Sequence, residues 1–153
     1  MVKIKIGISA CLLGYSFRYD GGHWLDRVLK DCLGRYIQWI PVCPEVEAGF
    51  PLPREPMVLS GNSDSPRLIG RYSKADMTDR LVSWIDLKLQ ELQREDLSGF
   101  IFKSSSPSCG LEDAKLYKGE GEIIRVSGLF AQAFQRRFPW APVLRSKDLY
   151  IHS

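Results

Sequence analysis

An α/β sandwich with a small, mostly parallel sheet flanked by helices is the fold this chain predicts, on three observations. Apolar runs of strand length recur at Lys3 to Ser9, Tyr36 to Val42 and Gly99 to Lys103. Segments of helical period lie between them, and parallel neighbours need such crossover connections. With 153 residues, 44% of them hydrophobic, the chain has the size at which one compact domain, residues 1–153, buries a core. A Rossmann-like sandwich is the expectation.

In the first run Ile4, Ile6 and Ile8 share one face, and Gly7 permits close packing of a helix on the other. A helix is predicted from Trp24 to Leu33, where Leu25, Val28, Leu29 and Cys32 fall on one face and Gly34 supplies the stop. Tyr36 to Val42 is almost continuously apolar, as suits a strand covered on both faces. Pro44 to Lys74, with EAGFPLPREP and SGNSDSPR, reads as a long connection without regular structure, a length usually tied to function. Thr78 to Arg94 is the best-patterned helix, with Thr78 as N-cap and Leu81, Trp84, Ile85, Leu87, Leu89 and Leu92 as its apolar surface. GFIFK is the third strand, LEDAKLYKGEGEI a polar loop or lid, and Ser127 to Phe138 a further helix. Val143 and Leu144 suggest a short fourth strand, and KDLYIHS a closing turn.

The 21 basic and 18 acidic residues are interspersed, so the net charge of +3 does not argue for a nucleic-acid partner. The opening MVKIKIGIS lacks the apolar stretch of a signal peptide, and no run of about 18 apolar residues occurs that would span a membrane. A cytoplasmic protein without membrane association is expected. In that compartment the four cysteines read as reduced, metal-bound or catalytic rather than as disulfides.

Three of those cysteines share one kind of position. Cys11 comes two residues after the first strand, Cys43 ends the second, and Cys109 follows the third by a six-residue turn. Ligands of open parallel sheets bind beyond the carboxyl ends of the strands, and neighbouring strands lie only ~4.8 Å apart, so three such thiols can meet at one centre. Cys32, on an apolar helical face, reads instead as a small buried hydrophobe. Three thiolates could hold zinc with a water, form a redox pair or bind an iron–sulfur cluster. The chain has no C-x-x-C and no paired cysteine knuckle, whereas clusters tolerate wide ligand spacing. A four-iron cluster held by three cysteines leaves one iron without a protein ligand, and that iron is a Lewis acid for a soft sulfur atom.

Other groups crowd the same strand ends. Glu45, stiffened by Pro44 and two residues after Cys43, suits an acid or base beside the metal, although a carboxylate at a helix start is common. Ser104, Ser105, Ser106 and Ser108 approach Cys109, where hydroxyls could donate to sulfur or to a ligand, and where Ser and Pro also simply make turns. Arg18 and Asp20 in RYDGG, and Arg54 in the long connection, are charged loop residues. Such arginines can clamp planar oxyanions, surface ion pairs being their ordinary occupation. His23 in GGHW reads as a loop residue, and His152 has no assigned role.

Taken together, ISACLLG, RYDGG, CPEVEAGFPLPREP and SPSCG, in this order over nearly the whole chain, resemble a bacterial family long known as a domain of unknown function, whose characterised members are thiouracil desulfidases. The resemblance implies a [4Fe-4S] cluster on Cys11, Cys43 and Cys109. It also implies desulfuration, without net redox change, of thiolated uracil as base, nucleoside or nucleotide to uracil and hydrogen sulfide. In the implied mechanism the thiocarbonyl sulfur binds the open iron while carboxylate-activated water attacks the carbon. By position Glu45 would be the acid/base and Ser106 the hydroxyl that passes a proton or orients the ring, with Ser108 its rival. Arg18, Asp20 and Arg54 would shape the substrate mouth or hold the motif loops, and Ser108 would contact the substrate. The implied partner is a small thiolated pyrimidine; thiolated tRNA is not favoured, since some relatives carry an added C-terminal domain that is not expected here. Two other classes stay open, a non-enzymatic iron–sulfur or sulfide carrier and a three-cysteine zinc protein.

Overall fold

In the computed structural model, which describes residues 3–13, 36–51 and 53–150, the apolar runs form strands that lie side by side. The strands are β1 (Ile4–Ser9), β2 (Ile37–Val42), β3 (Met57–Ser60), β4 (Arg67–Gly70), β5 (Gly99–Phe102), β6 (Ala114–Tyr117), β7 (Ile123–Val126) and β8 (Val143–Arg145). The α-helices among the described residues are α1 (Pro44–Glu47), α2 (Thr78–Gln93) and α3 (Leu129–Arg137). One sheet has the order β2-β1-β5-β8 with every pairing parallel, as the alternation of strands and helical segments predicts. β2, the next strand of this sheet in the chain, lies on one side of β1, and β5, reached later, on the other, so the strand order reverses at the carboxyl ends of β1 and β5.

Side-chain alternation explains the layers. Phe100 and Phe102 of β5 point to one face and stack with ring centroids 4.4 Å apart; Phe130 and Phe134 of α3 pack on them, Phe134 at 5.0 Å from Phe100. Leu81, Ile85, Leu89 and Leu92 of α2 join the same core. On the opposite face Ile101 meets Ile8 and Leu12. Gly7 lies across from Phe100, and a Cβ there would overlap the Phe100 ring. That glycine therefore makes room for a neighbouring strand's aromatic ring rather than for a helix.

Two segments differ from expectation. The supposed structureless connection holds α1 and the antiparallel β3–β4 pair, and the supposed lid is the antiparallel β6–β7 pair. A parallel β3–β6 pairing joins them into a second sheet, β4-β3-β6-β7. Each of these strands has only four residues, and its polar positions face out while Leu59, Leu68, Ala114 and Leu116 are fully buried. So short an alternation is hard to tell from a loop.

The start of α2 also differs. Thr78 is its first helical residue, not its cap: the Thr78 N–H donates to Asp76 Oδ1 at 3.0 Å, and Thr78 Oγ1 accepts the Leu68 N–H at 2.7 Å. Leu87 is 68% exposed, and Lys88 takes the buried register in its place. The helix predicted from Trp24 to Leu33, with Cys32 and Gly34, lies outside the described residues, as do His23 and His152. Among the described residues no helix is long and apolar enough to cross a membrane.

Candidate active site

Beyond the carboxyl ends of β1, β2 and β5 lies a cavity of about 460 Å³ whose walls include Cys11, Cys43, Cys109, Glu45, Arg54 and Lys103. Each cysteine is held differently. Cys11 sits in the 3-10 turn Ala10–Leu13 that continues from β1, and the turn is anchored by buried Leu12. Cys43 is the N-cap of α1, whose Pro44 fixes the first helical residue. Cys109 is carried by the loop after β5, and it is the most deeply buried of the three.

That loop is tied to three neighbours. Ser105 takes a left-handed backbone, φ 66°, and its N–H donates to Asp113 Oδ1 at 2.9 Å. Asp113 is 6% exposed, and its other oxygen lies 3.4 Å from Lys147 Nζ. Ser104 N–H donates to Ser146 Oγ at 3.0 Å, and Ser104 Oγ accepts the Lys147 N–H at 2.9 Å. The amides that open α3 donate back into the loop: Leu129 to the Pro107 carbonyl at 3.1 Å, Phe130 and Ala131 to the Ser108 carbonyl at 2.9 and 3.1 Å. These are the orphan donors of a helix N-terminus, satisfied by the backbone next to Cys109.

The serines occupy distinct places. Ser106 Oγ accepts the N–H groups of Ser108 and Cys109, at 3.2 and 3.1 Å, and lies 3.1 Å from Ser108 Oγ. Ser106 lines the cavity and is half-buried, whereas Ser108 is 1% exposed with its hydroxyl 4.0 Å from Cys109 Sγ.

Burial raises the titratable groups Cys43, Glu45 and Cys109 of the cavity. Burial pushes the Cys109 thiol up to about 12; the Ser9 and Ser108 hydroxyls pull it back, while the charges of Cys11 and Glu45 push it further. Burial likewise raises Cys43. Glu45 is raised by burial against the pull of Arg54, whose Nη2 lies 3.6 Å from Glu45 Oε2. Arg54 Nη1 is buried with no hydrogen-bond partner among the described residues, a cost that a bound acceptor would remove.

Of the residues singled out from the sequence, Cys11, Cys43, Cys109, Glu45, Arg54, Ser106 and Ser108 all line this cavity. Arg18 and Asp20 lie outside the described residues. Sequence reasoning missed Lys103, which it counted only as the end of a strand. It also missed Asp113, and the buried Lys88 that pairs with Glu47 at 3.0 Å. For Lys88 a signal was present, since 81, 85, 88 and 92 form one helical stripe and a lysine there breaks a leucine/isoleucine face. Among the described residues no three His, Cys, Asp or Glu side chains close tightly enough to ligate a single ion; the three thiols stand around a cavity.

Fold and site thus define an α/β protein with cysteines gathered at the ends of adjacent parallel strands. Residues 6–145 match the family described as 2-thiouracil desulfurase, and the chain belongs to that family. It is 30% identical over 131 residues to the uncharacterized protein YbbK of Bacillus subtilis (strain 168), covering 81% of this chain and 85% of YbbK. Among solved structures it resembles a [4Fe-4S]-dependent thiouracil desulfidase, TudS, with TM-score 0.70 and 30% identity, covering 97% of this chain and 94% of the other.

Proposed function

We infer that this protein is a [4Fe-4S]-dependent desulfidase of thiolated uracil, as base, nucleoside or nucleotide, with Cys11, Cys43 and Cys109 as cluster ligands. The observation that carries the reading is the gathering of three thiols, the Glu45–Arg54 pair and Ser106 around one cavity. Membership of the 2-thiouracil desulfurase family and the likeness to TudS support it.

The residues present fit such a group. Thiolates are the usual ligands of iron–sulfur clusters, and a donor set spread around a cavity suits a multi-atom group, whereas a zinc ion draws its ligands to about 2.3 Å from one point. With their thiols raised by burial, Cys43 and Cys109 become thiolates when a metal replaces the proton. When bound, a cluster on three cysteines supplies an iron with no protein ligand, a thiophilic Lewis acid for the substrate's sulfur.

Overall, thiocarbonyl plus water gives carbonyl plus hydrogen sulfide, so no electrons are gained or lost. Glu45 takes one proton from the attacking water at its carboxylate and returns it to the departing sulfur. The same carboxylate then takes the proton of the new hydroxyl as the carbonyl forms and passes it to the hydrosulfide, giving hydrogen sulfide. Arg54 keeps that carboxylate oriented through Nη2 and offers Nη1, which has no hydrogen-bond partner among the described residues, to a carbonyl oxygen of the ring. Ser106 already accepts two backbone N–H groups, so its hydroxyl donates, to Ser108 Oγ at 3.1 Å in the free site and to the ring when a substrate offers an acceptor at the cavity wall. Ser108, 1% exposed in the cavity wall, donates to Cys109 sulfur instead.

The test is sulfide release by the anaerobically reconstituted protein from 2-thiouracil, 4-thiouracil, their nucleosides and monophosphates, and thiolated tRNA. Release from at least one small thiolated uracil is expected. Stable iron binding with no release from any of them would make the protein a carrier instead.

A further inference from the structure

Lys88 lies in the wrong company for a lysine. It occupies the buried stripe of α2 with Leu81, Ile85 and Leu92, and it is only 8% exposed. Its ammonium is 3.0 Å from Glu47 Oε1 and 3.5 Å from Glu91 Oε1. The other oxygen of Glu47, Oε2, accepts the Cys43 N–H at 2.8 Å. One carboxylate thus bridges the backbone of a cavity-lining cysteine and an ammonium fixed on the 16-residue α2.

The short helix α1 needs that bridge. It spans four residues, about one turn, and an isolated turn has no stability of its own because its nucleation cost is not recovered. Cys43 is its N-cap and makes no side-chain capping bond, and the Glu47 carboxylate reaches back from inside the helix to the Cys43 N–H, as the acid of a capping box does. Withdrawing an ammonium into an apolar helix face is costly, and a methionine at that register would fill the space without the charge. Lys88 is held against this face by its carboxylate partners, Glu47 with 31% of its side chain exposed and Glu91 with 63%, and what the Glu47 contact fixes is the Cys43 backbone.

We propose that the Lys88–Glu47 pair is a positioning device for Cys43, anchoring the backbone of this ligand to α2 so that its sulfur is presented to the cluster in one place. The proposal rests on the reading of Cys43 as a cluster ligand. Neither Lys88 nor Glu47 touches the reacting atoms.

Two measurements on the full chain separate the proposal from that reading. In the reconstituted protein, Lys88→Met should release iron to a chelator roughly 10- to 100-fold faster than the wild type, the usual scale for losing a partner behind a metal ligand. Lys88→Arg, which keeps the ion pair, should restore slow release. In the iron-free protein, backbone amides of residues 43–50 should exchange faster in Lys88→Met and as in the wild type in Lys88→Arg. The thermal midpoint of iron-free Lys88→Met should change little, because methionine packs in the stripe and the 31% exposed Glu47 stays solvated and bonded to the Cys43 N–H; a global loss of fold therefore cannot mimic the result. Glu47→Gln breaks the same bridge from the other end and should release iron faster as well. Wild-type iron release and wild-type exchange in both Lys88→Met and Glu47→Gln would overturn the proposal. If the wild type itself takes up no iron, the desulfidase reading fails, and the exchange comparison still decides whether the pair holds Cys43.

Discussion

Gly128 lies so close behind Ser108 that a Cβ on it would come within 2.5 Å of the Ser108 carbonyl carbon and 2.8 Å of the Cys109 nitrogen. The contact is backbone, so no side chain can swing away to relieve it. Gly128 has φ −60°, an ordinary value, so the requirement is for space and not for an unusual dihedral. Gly128→Ala should therefore push the Cys109 loop off α3, costing about 1–3 kcal/mol as overpacking does. Thermal melts of the iron-free protein and iron content after reconstitution should both fall; an unchanged protein would mean that the loop can yield there.

Glu45 and Arg54 make a second, separable prediction. Glu45→Gln keeps the shape of the site and its three thiols, so the cluster should be retained while turnover falls by about 10²- to 10⁴-fold, the range for losing an acid/base. Arg54→Lys keeps the charge but loses the planar fork that serves Glu45 and the cavity at once, and it should weaken substrate binding. Steady-state sulfide release beside iron content distinguishes these effects. Full turnover in Glu45→Gln would remove that residue from the chemistry.

The two serines of SPSCG should fail in different ways. Ser106→Ala leaves two backbone N–H groups without their acceptor, costing about 1–3 kcal/mol of stability, and also removes the hydroxyl that faces the cavity. Ser108→Ala removes a donor to Cys109 sulfur and should shift the cluster's reduction potential with less effect on turnover. Voltammetry and turnover on the same samples check the division. Equal potentials in Ser108→Ala and the wild type would contradict the sulfur contact.

How much of this was legible in the sequence depended on how each element encodes itself. β5 was readable as an apolar run buried at every position, β1 by the alternation of Ile4, Ile6 and Ile8, and β2 by its apolar residues around Trp39, and Cys11, Cys43 and Cys109 were readable as a set because they sit where those strands stop. The second sheet was not, since strands such as Arg67–Gly70 present one or two buried side chains among glycine and charge. Nor could Ser106 be told from Ser108. Their difference arises from the left-handed backbone at Ser105 and from the turn that aims two N–H groups at one hydroxyl, and both depend on Asp113 eight residues away.

Asp76 gives a pH test away from the cavity. Hydrogen bonds from Thr78, and then the Arg67 guanidinium at 2.9 Å, hold its carboxyl down from the ordinary 3.8 to about 2. A depressed carboxyl stabilises the folded protein above the unfolded value and loses that contribution as pH falls through the folded one. Asp76→Asn should therefore melt at a lower temperature than the wild type at pH 5, with the gap closing as the pH is taken toward 2. A gap that does not change over that window would show that the carboxylate's charge plays no part.

Whether Cys11, Cys43 and Cys109 together hold one cluster is decided by counting iron and acid-labile sulfide after anaerobic reconstitution of the wild type and of the Cys11→Ala, Cys43→Ala, Cys109→Ala and Cys32→Ala variants. Iron and sulfide in equal amounts, as a [4Fe-4S] cluster requires, are expected in the wild type and in Cys32→Ala, with loss in each of the other three. A wild type that binds zinc in place of iron and sulfide, or a Cys32→Ala variant that loses iron while one of the others keeps it, would contradict the account.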